Sequence, residues 1–459
     1  MPLFNWLYRY MAKFPNQKIK GDNEIIRYDD MLYDAEKEGK RLPSEKIGIY
    51  CKKELNAARA IMRCISAKAT AVPLSPRYGK QHCQNIIEQI GLNYIITDDS
   101  GDIELYQTEN KKSEKKQDVD LTDVALILCT SGTTGKPKGA MLTSHGIIAN
   151  LIAIRSYFSL CSDDKILIAR PLYHSAAIVG EFFTSLINGV EINFIDGNFN
   201  PTAILKRIIS DRITVFCGTP TIFHHISHFA KRAGGVPLLR TVSVSGECLT
   251  YTVAKEMQEV FESADIYHVY GLTEAGPRVS FLPPDEFYMH SDSVGYTLPG
   301  IFAKITNKNG AELPRGQIGE LLLLTPSAMA GYYNQSTETA KVFRNGWLHT
   351  GDVAKMDDEG RITILSRIDD MIIRGGINIY PKEIENAVCS IKGVQEAVVY
   401  GERDNRVGQK IKIKAVAPKA NLSDIFRECQ KILPSYQWPD SIELVDSLPR
   451  NSSGKIVRK

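Results

Sequence analysis

The chain has 459 residues, 43% hydrophobic and 24% charged, the balance of a water-soluble globular protein long enough for two or three units with at least one large core. Its 56 basic and 53 acidic side chains leave a formal net charge of +3, which gives no electrostatic footprint for nucleic acid. No run of about 18 apolar residues occurs, so no membrane span is expected, and nine scattered cysteines without a C-x-x-C pair predict reduced thiols and a cytoplasmic location.

The opening Met1-Pro2-Leu3-Phe4-Asn5-Trp6-Leu7 reads as an amphipathic first helix rather than an export signal. Lysines 111, 112, 115 and 116, broken by Glu114, read as a solvated linker. From Val124 to Gly271, β-rich runs at 124–129, 165–169, 191–195, 214–217, 241–244 and 266–270 alternate with helical stretches at 146–156, 176–187, 202–210, 221–233 and 251–262. In the first helix Ile147, Ile148, Leu151 and Ile152 make one face, with Ser144 as the candidate N-cap. This alternation predicts an α/β unit with a parallel-rich sheet and ligand loops at the strand ends. Short strands with turns at Pro299-Gly300 and Asn309-Gly310 follow as a small β-subdomain. From Asp370, roughly ninety residues with helices at 382–390 and 422–432 predict a small α+β C-terminal domain.

The run Thr130-Ser131-Gly132-Thr133-Thr134-Gly135-Lys136-Pro137-Lys138-Gly139 is read as a loop between a strand and a helix. Glycines among hydroxyl residues let backbone N–H groups face an anion, and two lysines add charge, which is how a polyphosphate is held. A Walker A loop needs Gly where Thr130 stands and Ser or Thr where Pro137 stands, so a P-loop NTPase is disfavoured.

That loop is similar to the phosphate-binding signature of the adenylate-forming enzymes: acyl-CoA synthetases, aryl-acid ligases, luciferases and peptide-synthetase adenylation domains. Further signatures of the family follow in its order, at Val269–Glu274, Gly346–Asp352, Ser366–Asp370, Arg374–Pro381 and Leu448–Lys455, so the resemblance covers nearly the whole chain and is closest to acyl-CoA synthetases.

The resemblance implies ATP and Mg²⁺ as cofactors and residue roles that chemistry supports. Thr130, Ser131, Gly132, Thr133, Thr134, Gly135 and Lys138 would cradle phosphates, with Gly246, Glu247 and Gly271 lining the nucleotide. Tyr270 offers a ring for adenine, Thr273 a hydroxyl for the α-phosphate, and Glu274 an oxygen ligand for Mg²⁺. Asp352 would accept both ribose hydroxyls, with Arg367 beside it. Lys455 would be the catalytic lysine at the reacting phosphate, where charge builds during in-line attack.

Domains are expected at 1–366 and 370–459, hinged at 367–369 on Asp369. Rotation about that hinge would replace Lys455 by the Gly375-Gly376 loop, lining a tunnel for the pantetheine arm of CoA or of a carrier protein. A monomer or homodimer is expected.

The acid pocket is expected from Tyr173–Ala177, the stretch from Phe216, Ser245–Glu247 and Leu272–Pro277, with His174 gating or lining it. No Asp stands near Tyr173–Ala177 to hold an α-amine, and no Trp fills the segment at Tyr270, so a small carboxylic acid larger than acetate, fatty or aryl, is expected. Arg278 is read as a surface ion pair before a substrate-carboxylate partner. His224, His225 and His228 are read as a half-exposed helix face, because no H-E-x-x-H Glu or third ligand accompanies them.

Overall fold

The computed structural model describes residues 2–76, 78–108, 120–130, 137–197, 200–231, 236, 238–247, 249–404, 406–418, 420–450, 456 and 458. The alternation in the sequence becomes a nine-stranded sheet whose central strands run parallel. Lys165–Ile168 sits in its middle, flanked on one side by Glu191–Phe194 and on the other by Val215–Gly218. Thr241–Ser245 and Asp265–Leu272 continue the second side, closed by antiparallel Gly276–Leu282. The strand order therefore reverses between Lys165–Ile168 and Val215–Gly218, and the carboxyl ends at such a switch point are the usual ligand position in these sheets.

Both faces of this sheet are buried. Val215, Cys217, Tyr267 and Val269 face the larger core, while Phe216, Val242, Val244 and Ile266 face a second one. Phe216 therefore packs against Phe223 in the second core, with rings 5.5 Å apart, while Cys217 faces the larger core. A strand buried on both faces carries no alternation in its sequence to set the phase.

A six-stranded, mostly parallel sheet from Lys46–Tyr50 to Lys138–Thr143 lies on the shared core. An antiparallel five-stranded sheet gathers Phe302–Thr306, Gly319–Leu324, Phe343–Arg344, Trp347–Met356 and Ile362–Arg367. Beyond it, a three-stranded sheet and the helices Pro381–Cys389 and Leu422–Ile432 enclose a separate small core, as the α+β reading predicted. The first helix, Leu3–Met11, is amphipathic and buries Leu3, Phe4, Leu7 and Met11. Among the described residues no helix is long and apolar enough to cross a membrane.

Two local readings are corrected. The helix Ser144–Arg155 is capped by Thr143, whose hydroxyl accepts from the Gly146 amide at 3.0 Å, and Ser144 is its first residue. Its buried face runs through Ile147, Asn150, Leu151 and Ile154, leaving Ile152 exposed, because strand and helix neighbours approach from both sides of Leu151.

His268, 2% exposed on the Asp265–Leu272 strand, gives a pH prediction. Burial, then the nearby Lys382 ammonium, push its pKa down to about 3. The unfolded imidazole binds a proton near pH 6.5 and the folded one does not, so this contribution is complete above that pH and lost as pH falls from 6.5 towards 3. Urea midpoints between pH 7 and 4 should show stability falling by up to about 1.4 kcal/mol per pH unit from this group, a component that His268→Gln removes.

Candidate active site

The Asp265–Leu272 strand turns through Thr273–Ala275 into the antiparallel Gly276–Leu282 strand. Gly271 is required at this turn, since a Cβ there would fall 2.0 Å from the Pro277 carbonyl oxygen. The Tyr270 hydroxyl donates to Asp352 at 2.5 Å. Burial, followed by that carboxylate, holds the phenol far above its ordinary pKa, so it remains a donor. Asp352 and Arg367 face each other across paired strands, and the Arg367 guanidinium donates 3.0 Å bonds to Asp352 and to the Thr350 carbonyl. Three residues separated by up to 97 positions thus form one group: an aromatic ring, a buried carboxylate and a cation.

A second group surrounds Glu274. Its carboxylate accepts from the Tyr332 hydroxyl at 2.8 Å, and its carbonyl accepts from the Met329 amide at 2.8 Å. Lys138 lies 5.2 Å from the Tyr332 ring centre and pairs with Glu338 at 2.5 Å. Hydrogen bonds from Lys138 and Lys341 lower the Glu338 pKa to about 2. Tyr332 is placed by backbone pairing: the Met141 amide donates to the Gly331 carbonyl, and the Tyr333 amide to that of Gly139. Sequence reading missed Tyr332 and Glu338, whose link to Glu274 and Lys138 exists only through this long-range pairing.

Ser131–Gly135 and Lys136 lie outside the described residues. Their flanks correct the expected setting, because Val124–Thr130 pairs antiparallel with Lys138–Thr143. The signature joins two strands of a hairpin, with the helix beginning only at Ser144.

Thr273 meets Ser175 hydroxyl to hydroxyl at 3.2 Å, tying the turn to the helical segment after His174. The half-buried His174 immediately precedes that segment, its ring 4.3 Å from that of Tyr173. Gly246 and Glu247 follow the Thr241–Ser245 strand, and the Glu247 carboxylate accepts from the Thr221 hydroxyl at 2.7 Å. Arg450 donates to that same hydroxyl at 2.9 Å and pairs with Glu396 at 2.7 Å. Gly375 and Gly376 form an exposed turn between Ile372–Arg374 and Ile377–Ile379, and no hydrogen bond among the described residues joins it to the Tyr270 group. Asp369 is exposed in a short turn directly after the Ile362–Arg367 strand. Lys455 lies outside the described residues, between Arg450 and Ile456, which form a backbone bridge. His224 binds Glu256 at 2.8 Å.

Comparison with known proteins decides the family. The profile described as AMP-binding enzyme matches residues 39–333, and that of the AMP-binding enzyme C-terminal domain matches residues 383–455. The chain belongs to the AMP-binding enzyme family.

It is an AMP-forming acid–thiol ligase, which adenylates a carboxylic acid with ATP and then forms a CoA thioester. It is 34% identical over 346 residues to a feruloyl-CoA synthase of Amycolatopsis sp, covering 74% of this chain and 70% of that protein. A long-chain-fatty-acid–CoA ligase of Escherichia coli O6:H1 is 34% identical over 354 residues, covering 73% of this chain and 61% of that one. The fold matches ATP-bound MatB from Rhodopseudomonas palustris with a TM-score of 0.87, at 25% identity over 99% of this chain and 97% of that one.

Proposed function

We propose that this ligase activates an aliphatic or aryl acid of fatty-acid-type metabolism at the carboxyl ends of the parallel strands, with the Tyr270–Asp352–Arg367 group holding the nucleoside and the Glu274 group the phosphates. The observation that carries this reading is the buried Asp352 carboxylate, oriented from two sides by Tyr270 and Arg367. A carboxylate fixed in this way is pre-organised to accept two neighbouring hydroxyls, as a ribose presents.

Glu274 fits a Mg²⁺ ligand: it is an oxygen donor, oriented by the Tyr332 hydroxyl. Bound there with ATP, Mg²⁺ supplies neutralisation of phosphate charge. Thr273, held by Ser175, turns its hydroxyl towards the α-phosphate position, and Lys455 brings an ammonium to the same oxygens. No residue need act as general base, because the attacking carboxylate is already ionised. The acid lies along the segment after His174, whose ring with Tyr173 screens the reacting end from water. Residues 1–366 and 370–459 act as two units about Asp369, the second delivering Lys455 for adenylation and the Gly375-Gly376 turn for the thiol.

ATP–pyrophosphate exchange over a panel of aliphatic and aryl acids, repeated with free CoA, tests this. Exchange with at least one acid and release of AMP and acyl-CoA on adding CoA are expected. Exchange without acyl-CoA would assign the acceptor to a carrier-protein phosphopantetheine, and absence of exchange across the panel would refute acid adenylation.

A further inference from the structure

Arg278 is the largest fully buried side chain of the described residues, 1% exposed, where a surface ion pair was expected. It points from the Gly276–Leu282 strand towards the segment after Ser175, four residues beyond Glu274. Its Nε and one terminal nitrogen have no hydrogen-bond partner among the described residues, while the other terminal nitrogen reaches the Ser245 hydroxyl at 3.4 Å and the Cys217 thiol lies beside the group.

The nearby charges do not balance. Glu181, wholly buried, is already bound by Arg170, whose Nε donates to it at 2.7 Å. Two buried guanidiniums therefore share one buried carboxylate, leaving one positive charge in excess. A buried cation with unfilled donors is costly unless an anion completes it. The chain is also shaped around this guanidinium. Ile178–Phe183 is a π-helical turn, a form that recurs at functional sites, and Gly180 within it admits Arg278 so closely that a Cβ would lie 3.0 Å from Nε. Opposite, the sheet offers Ser245 and Cys217 rather than large apolar residues.

Resting on the reading of those strand ends as the acid site, we propose that Arg278 binds a second carboxylate at the far end of the substrate, so that the enzyme activates a dicarboxylic acid. The reacting carboxylate meets Thr273 and Ser175, and Gly180 lies five residues further along the helical segment, about 7 Å at helical rise. That separation is the length of adipate or terephthalate. A long alkyl tail would instead press against the unfilled guanidinium.

The test compares matched acids, adipate with hexanoate and terephthalate with 4-methylbenzoate, by ATP–pyrophosphate exchange and by thermal shift of the nucleotide-free protein. The wild-type enzyme should prefer the diacid of at least one pair by roughly a hundredfold or more in kcat/KM, as sites built to bind a polar group reject analogues lacking it. Arg278→Met should erase that preference while keeping the monoacid rate, and should abolish the diacid-induced rise in Tm. Should Arg278→Met fail to fold, Gly180→Ala displaces the guanidinium without removing it and should raise KM for the diacid selectively.

Equal use of both acids by the wild-type enzyme, or equal loss of both in the folded variants, overturns the inference and leaves adenylation standing. A diacid-induced rise in Tm that needs Arg278, in an enzyme showing no exchange with any acid, would refute adenylation while upholding the diacid site.

Discussion

Lys455→Ala should lose ATP–pyrophosphate exchange by about a hundred- to a thousandfold, the usual cost of removing one donor to a transition-state oxyanion. Thioester formation from supplied acyl-adenylate should stay within a few-fold of the wild-type rate, because the lysine would have left the site by then. The ends of its loop support this selectivity. Arg450 on one side is bound to Glu396 of the small C-terminal core and to Thr221 of the large sheet unit. Arg458 on the other side is bound to Glu385 and lies 3.5 Å from Asp370, next to the hinge position. The residues that flank the lysine on both sides are thus held by ion pairs of their own, so its removal deletes a charge without releasing them. Rapid-quench measurement of the two half-reactions checks this; equal loss in both would refute alternation between two arrangements of the C-terminal unit.

Asp352→Ala should raise KM for ATP by roughly a hundredfold, with a smaller effect on KM for the acid. Two charge-assisted hydrogen bonds to a ribose contribute together about 3 kcal/mol, which is that factor. The variant also strips Tyr270 of its acceptor and Arg367 of its counter-charge, so the adenine-facing ring loses its support. Asp352→Asn keeps the shape and one acceptor and should recover part of the loss. Initial rates with ATP and acid varied separately give the two constants. A uniform fall in kcat with KM for ATP unchanged would place the ribose elsewhere.

The elements legible from sequence were those whose signals are local. The parallel strands and their helices appear within a few residues of expectation because apolar period and turn residues mark them. Tyr270, Asp352 and Arg367 stood out because each lies in a distinctive motif, and the structure brings them into hydrogen-bond contact. What escaped depends on distant pairing. The strand Lys138–Thr143 begins one residue after Pro137 and is defined by its pairing with Val124–Thr130, so a hairpin was read as a strand followed by a helix. Tyr332 acquires its place only when Gly331 and Tyr333 pair with the Gly139–Met141 edge. Arg278 looked like a surface residue because arginine is rarely buried. Only the folded chain sets it against Arg170 and Glu181, more than ninety residues away in sequence.

The Thr221 hydroxyl ties the C-terminal segment to the loop at Glu247, since it accepts from Arg450 while donating to that carboxylate. If the C-terminal unit turns as proposed, the bond from Arg450 to the Thr221 hydroxyl is broken as Lys455 withdraws. Glu247 then keeps Thr221 but loses the positive end of the chain beyond it, and the nucleotide loop experiences the departure as a change in local field.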